Sequence, residues 1–341
     1  MKRRKIPYNT IFLIIGLIAL GIMVYKIGVG TIWDGLQQIG VRYFGLIMGI
    51  WLVIYFLNAV SWNIIIRSEN REKHPSFAEV VRLTISGFAM NYITPGVSMG
   101  GEPYKILELK DRIGANKATS AVMLYSMMHI FTHITFWIIS VVAAFFYLRP
   151  DTVTALLLGL LLVALFGLAY LFIRAYKHGL IVAFFRLAAK IPFLNKPIRK
   201  FVGKHKRRLV EIDRLISDLH NKRRSAFYRS YLVELVSRFV GCLEVNAIML
   251  ALAGMFPGVS VNFVDAVIIT AGYSLFTNAV FFVPLQMGSR EGGYLLAFKA
   301  IGLISTPAII VSLVTRIREL FWIFIGLALM KMKRFKVDKN D

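Results

Sequence analysis

The chain has one cysteine, Cys242, in 341 residues. A single thiol cannot close an intrachain disulfide or supply a Cys-based metal site, so Cys242 reads as a small packing residue. Acids are also scarce: Asp and Glu number 18 against 41 Lys and Arg, a formal net charge of +23. The sequence has no Walker A loop and no dinucleotide-binding glycine fingerprint. The Gly-rich run Met99-Gly100-Gly101 lacks the strand-to-helix setting that phosphate loops and nucleophile elbows require. ATP use and hydrolase chemistry therefore lack their usual signatures, and no catalytic residue is assigned.

What the chain does have is apolar sequence. Hydrophobic residues make up 57% of it, and mean hydropathy is +0.65. A helix crosses a bilayer with roughly 20 apolar residues. Runs of that size lie at 10–29, 43–66, 119–147, 153–174, 231–254 and 307–330. Two further apolar stretches, 77–98 and 263–286, end in Pro/Gly-rich sequence. The first run follows the basic start Lys2-Arg3-Arg4-Lys5 but no small-x-small cleavage site follows it, so it reads as an anchor.

The positive charge is unevenly placed. The start, the tail after Lys331 and the stretch from Arg174 to Arg229 are rich in Lys and Arg, whereas 30–42, 148–152 and 255–262, read as loops, carry almost none. That distribution is the positive-inside pattern and predicts cytoplasmic N- and C-termini. Attraction to an anionic leaflet accounts for the charge without nucleic acid. The expected domain plan is one integral membrane domain over 1–341. It comprises a first half at 1–147, the first span of a second half at 148–174, a basic cytoplasmic connector at 175–230, the rest of the second half at 231–334 and a tail at 335–341. Within the connector, 177–191 suits a helix lying on the inner surface, and 204–220 places Leu209, Ile212, Leu215, Ile216 and Leu219 at helical spacing.

The two Pro/Gly phrases resemble each other. Pro95, Met99-Gly100 and Glu102 line up with Pro284, Met287-Gly288 and Glu291; upstream, Phe77, Glu79, Val81 and Thr84 line up with Phe263, Asp265, Val267 and Thr270. Charge placement puts both ends of 77–98 on the cytoplasmic side and both ends of 263–286 on the other. The predicted fold is thus all-α and polytopic, with about six transmembrane helices plus two re-entrant segments in an inverted repeat, an arrangement typical of transporters.

Irregular backbone survives at membrane depth only inside protein or beside water. The breaks are therefore candidate sites, with Asn91, Pro95, Gly100, Gly101, Pro284 and Gly288 as their structural residues. Charged side chains inside spans are functional candidates for the same reason. Glu102, Lys105, Arg238, Glu244, Arg290, Glu291, Arg316 and Glu319 are the candidate headgroup-binding residues, with Arg316 foremost. Plainer readings stand beside this one: helix capping by the two glutamates, pairing of Glu291 with Arg290, and an intrahelical pair of Glu234 with Arg238. His129 and His133 are four residues apart, but no carboxylate completes a zinc-protease pattern, so packing or hydrogen bonding is expected and no metal or cofactor is assigned.

The phrases Asn91-Tyr92-Ile93-Thr94-Pro95-Gly96, Gly100-Gly101-Glu102-Pro103-Tyr104-Lys105 and Pro284-Leu285-Gln286-Met287-Gly288-Ser289-Arg290-Glu291-Gly292 resemble the motifs of the lysylphosphatidylglycerol synthase transmembrane-region family, flippase-like integral membrane proteins. The resemblance covers about residues 8–334. It implies a bacterial inner-membrane protein that moves a phospholipid or lipid-linked molecule between leaflets, with membrane lipids as partners. It also implies that the C-terminal aminoacyl-transferase domain of some members is missing, and hence no enzyme activity. The rival expectations are a lipid-modifying enzyme and a non-transporting scaffold or accessory subunit. Cargo, direction, energy source and oligomeric state are not encoded in any motif. The two halves also differ in charge: Met128 stands where the second half has Arg316.

Overall fold

The computed structural model describes residue 25 and residues 29–68, 74–93, 100–178, 202, 224–280, 283 and 286–331. Among these the fold is all-α. The helices are α1 (Val29–Arg67), α2 (Phe77–Ile93), α3 (Gly101–Ile113), α4 (Ala115–Tyr147), α5 (Thr152–His178), α6 (Arg224–Ala251), α7 (Phe263–Ala279), α8 (Ser289–Ala300) and α9 (Thr306–Lys331). The chain is a polytopic helical membrane protein. The expected span at 10–29, the breaks around Pro95 and Pro284, most of the basic connector and the tail lie outside the described residues.

The apolar runs become helices close to where they were expected. α1, α4 and α5 are long and apolar enough to cross a membrane. α5 is almost bare of internal packing: 6% of its most apolar window is buried, so its leucines face outwards, as lipid contact requires. α6 and α9 have 28 and 26 residues, enough to cross at about 1.5 Å per residue, but they carry charges in mid-helix.

Residues 30–42 correct one expectation. They are helical rather than a loop, and α1 passes through a kink at Gly40, whose φ of 56° and ψ of 176° are not helical. The segment holds its helix because one side is apolar and packed: Ile39 is buried, and Ile310 of α9 lies against Gly35, where a Cβ would come within 2.6 Å of its Cδ1.

The two Pro/Gly phrases each join a pair of short helices. α2 and α7 have 17 residues each, about 25 Å, short of a hydrocarbon core of about 30 Å. α3 and α8, with 13 and 12 residues, come after the breaks; the periodicity of their charged sequences had not marked them as helices. Both pairs close on glycine. A Cβ on Gly101 would strike the backbone carbonyl of Gly87, and one on Gly293 would sit 3.1 Å from the backbone of Tyr273. At the foot of the first pair Arg82 meets Glu108 and Arg112 meets Glu79, each at 2.8 Å.

The helix pairings repeat. Exchange α1 with α6, α2 with α7, α3 with α8 and α4 with α9, and every pairing among these eight helices maps onto another or onto itself. α1–α2 becomes α6–α7, α2–α9 becomes α7–α4, and α1–α4 becomes α6–α9. The extensive α1–α6 pairing maps onto itself. One pairing, α4–α5, has no counterpart among the described residues. The apolar core has one cluster spanning both halves and another between α1, α2, α3 and α4 that also takes in Ala226 of α6.

Candidate functional site

Charges held inside a low-dielectric interior need partners. The second half supplies them closely. Glu291, in the first turn of α8, is fully buried and takes Arg316 Nε at 2.7 Å and Nη2 at 3.1 Å. Its Oε1 also accepts Ser312 Oγ at 3.0 Å, and its Oε2 accepts the Gly288 N–H at 2.8 Å. Glu291 thus caps α8 and anchors α9 together. Its partner is Arg316 rather than the neighbouring Arg290. Arg290 instead reaches Glu319 at 2.7 Å and Gln286 Oε1 at 2.9 Å.

The network runs on through Glu319. Its Oε2 also accepts the Tyr92 hydroxyl of α2 at 2.7 Å, and its Oε1 lies 3.7 Å from Arg318. Arg318 then makes a bidentate pair with Glu244 of α6 at 2.9 and 3.0 Å, and its guanidinium lies 3.6 Å from the centroid of the Trp51 indole. Arg290, Arg316 and Arg318 are matched in charge by Glu244, Glu291 and Glu319. Arg316 also donates to the Gln286 carbonyl at 2.9 Å. That carbonyl is freed by the break itself, where Gln286 and Gly288 both have positive φ, 52° and 75°.

The first half is built differently. The N–H of Gly101, which opens α3, donates to Asn91 Oδ1 at 2.6 Å, so Asn91 ties the break to α2. Glu102, the counterpart of Glu291, has no such ties: its Oε2 is buried without a hydrogen-bond partner. Lys105, one turn on, is 5% exposed. Its ammonium lies 5.2 Å from the Trp62 ring and 5.0 Å from the Tyr125 ring, making cation–π contacts in place of an ion pair.

Beside Lys105 stands a second group. His129 Nδ1 of α4 is 2.6 Å from Glu234 Oε1 and 2.7 Å from Arg238 Nη2, both of α6. Glu234 and Arg238 also make the expected intrahelical pair, at 3.3 Å. Glu234 Oε2, Arg238 Nε and His133 Nδ1 are buried without hydrogen-bond partners. Tyr125, His129, His133 and Trp137 follow one another at four-residue spacing with ring centroids 6.2, 5.2 and 5.5 Å apart. Trp137 Nε1 donates to Ser274 Oγ of α7 at 2.8 Å.

The candidate residues therefore fall into two groups joined by α6, whose Glu234 and Glu244 stand about 15 Å apart along the axis. Arg290, Glu291, Arg316, Glu319 and Glu244 share the closed, charge-matched network, in which Arg290 Nε and Arg318 Nη1 are nonetheless buried without hydrogen-bond partners; Glu102, Lys105 and Arg238 belong to the open one. Arg318, a third charge beside Arg316 and Glu319 in the last apolar run, joins the site, and so do Tyr92, Gln286 and Trp51. Only Arg318 carried a signal, as a mid-span charge. Tyr92, Gln286 and Trp51 enter through tertiary packing. Among the described residues no three or more His, Cys, Asp or Glu side chains are grouped to hold a metal ion.

A model of the lysylphosphatidylglycerol synthase TM region matches residues 10–327. No curated protein and no solved structure matches the chain.

Proposed function

The chain belongs to the lysylphosphatidylglycerol synthase transmembrane-region family, and from that premise we propose that it moves an anionic or zwitterionic phospholipid, or a lipid-linked molecule, between the leaflets of a bacterial inner membrane. One observation carries the reading: α6 joins two groups of buried charges, one beside each helix break, inside a protein whose outer helices are apolar. A headgroup needs such a polar route, whereas its acyl chains can stay in lipid. Charges of this kind in mid-membrane are costly to maintain and serve as paths or binding sites.

In this reading the two helix pairs are re-entrant. The pairing exchange supports an inverted repeat: three spans and one returning pair make an odd number of crossings, so the second half starts from the opposite face. The termini lie in the cytoplasm, as the positive-inside pattern requires. Arg238 is the group we assign to a headgroup phosphate. It is 16% exposed in its side chain, it has an Nε without a partner, and it belongs to the open group. Glu102 and Lys105 line the path beside it, and no group is assigned to catalysis.

The test is leaflet exchange of head-labelled phospholipids in proteoliposomes. Wild type should exchange lipid, and Arg238→Ala should slow it by about 10- to 100-fold, the worth of a hydrogen bond to a charged group. Absence of exchange with every common headgroup would sink the reading.

A further inference from the structure

His129 Nδ1 is asked to do two incompatible things. A ring nitrogen offers one in-plane site, a donor when protonated and an acceptor when bare. Here it has a carboxylate oxygen at 2.6 Å and a guanidinium nitrogen at 2.7 Å. With a proton on Nδ1, Glu234 is satisfied and the Arg238 N–H is opposed. With a bare Nδ1, Arg238 is satisfied and the carboxylate faces a lone pair. One short contact is unfavourable in either state, so the proton decides which partner the ring keeps.

The surroundings make that choice matter. Glu234 is fully buried and its other oxygen has no partner. The His129 side chain is 39% exposed, whereas the Glu234 side chain beside it is not exposed at all. Lys105 of α3 stands over the neighbouring Tyr125 ring, Glu234 and Arg238 come from α6, and Tyr125 and His133 flank the ring on α4. α1 and α5 meet this stretch of α4 through rings, Trp62 on Tyr125 and Phe172 on Phe131.

We propose that His129 is a proton-binding site that controls Arg238, so that lipid movement through this protein is linked to proton movement. Neutral imidazole, with its proton on Nε2, turns its Nδ1 lone pair to Arg238 and holds it. Uptake of one proton at Nδ1 makes the ring a cation that donates to Glu234 and repels the guanidinium, which keeps only its longer contacts to Glu234 at 3.3 Å and to the His129 carbonyl at 3.5 Å and can turn to a headgroup phosphate. Loss of that proton to the other side returns Arg238 to the ring and releases the phosphate. Linkage is reciprocal: an anion bound at Arg238 must favour the protonated ring. The proposal rests on the transport reading but adds to it a site and a driving ion.

Two measurements separate the proposal from that reading. The first needs no transport: nitrogen NMR of histidine-labelled full-length protein in micelles, with the His129 signal assigned by its loss in His129→Gln. A His129 titration is expected to move to lower pH in Glu234→Gln, by about one pH unit or more, and to higher pH when dihexanoyl phosphatidylglycerol is added. A His129 signal that does not titrate between about pH 4 and 9, or ignores both changes, overturns the proposal. The second is lipid exchange in proteoliposomes under an imposed pH gradient, with a trapped pH dye. Wild type should exchange lipid at a rate that follows the gradient and should move protons as it does so, a dependence lost in His129→Gln and Glu234→Gln. Exchange that ignores the gradient overturns proton linkage and leaves the transport reading standing. No exchange at all sinks the transport reading and, with it, the coupling.

Discussion

Arg318 shows what a single buried charge demands. It is 2% exposed, forks onto both oxygens of Glu244 and stacks on Trp51. Removing one member of such a pair leaves the other charge stranded, which costs about 3–5 kcal/mol. Arg318→Ala and Glu244→Ala should each lower stability by that amount, whereas a paired Arg318→Met, Glu244→Leu replacement should restore much of it. Thermal unfolding of the purified variants in detergent checks this; a double variant no more stable than the singles would contradict it. Arg318→Lys should fall between, because an ammonium keeps the charge but loses the fork and the flat face. The contrast with Glu102 is what residue-level reading could not supply. Glu102 and Glu291 look equivalent in their phrases, yet one is held by Arg316, Ser312 and Gly288 and the other keeps an oxygen without a partner. The signal was present in Met128, which stands where the second half has Arg316, but it did not say what Glu102 would do without an arginine.

At the scale of elements, hydropathy located the long helices because lipid and core make the same demand on them. It missed α3 and α8, whose charged sequences have no apolar run to mark them, and it read the amphipathic start of α1 as a loop. What holds the short helices is backbone proximity, and that predicts where they fail. α9 approaches α2 so closely at Gly326 that a Cβ there would lie 2.7 Å from the Ala89 Cβ and 2.8 Å from the Ile85 carbonyl, while Ser86 Oγ donates to the Gly326 carbonyl at 3.1 Å. Gly326→Val should part the two helices, costing about 1–3 kcal/mol by overpacking and slowing lipid exchange, since Tyr92 and Glu319 meet along the same seam. Gly159→Val on α5, where a Cβ would meet nothing within 4 Å, is the control and should leave both unfolding temperature and exchange as they were. Equal losses in the two variants would show that the seam has no special role.

At the scale of the molecule, the pairing exchange turns two similar phrases into an arrangement with consequences. If α1–α4 and α6–α9 are related by an axis lying in the membrane, the turns that end the two helix pairs must open on opposite faces. Ala115, just after the α3–α4 turn, and Ser305, in the α8–α9 turn, are both exposed. The chain's one cysteine, Cys242, is buried, so each position can be read alone in a Cys242→Ala background. With a membrane-impermeant maleimide on oriented vesicles, Ala115→Cys should react only from the cytoplasmic side and Ser305→Cys only from the other. Reaction of both from one side would break the inversion even if lipid exchange were observed, because the halves would then be parallel copies. Opposite labelling would make the charge difference between the halves functional. The closed network of Arg316 and Glu291 would face one leaflet and the proton-sensitive group around His129 the other. A carrier built that way has a direction set by its own sequence, because only one of its two mirror-related pairs can let go of an arginine when a proton arrives.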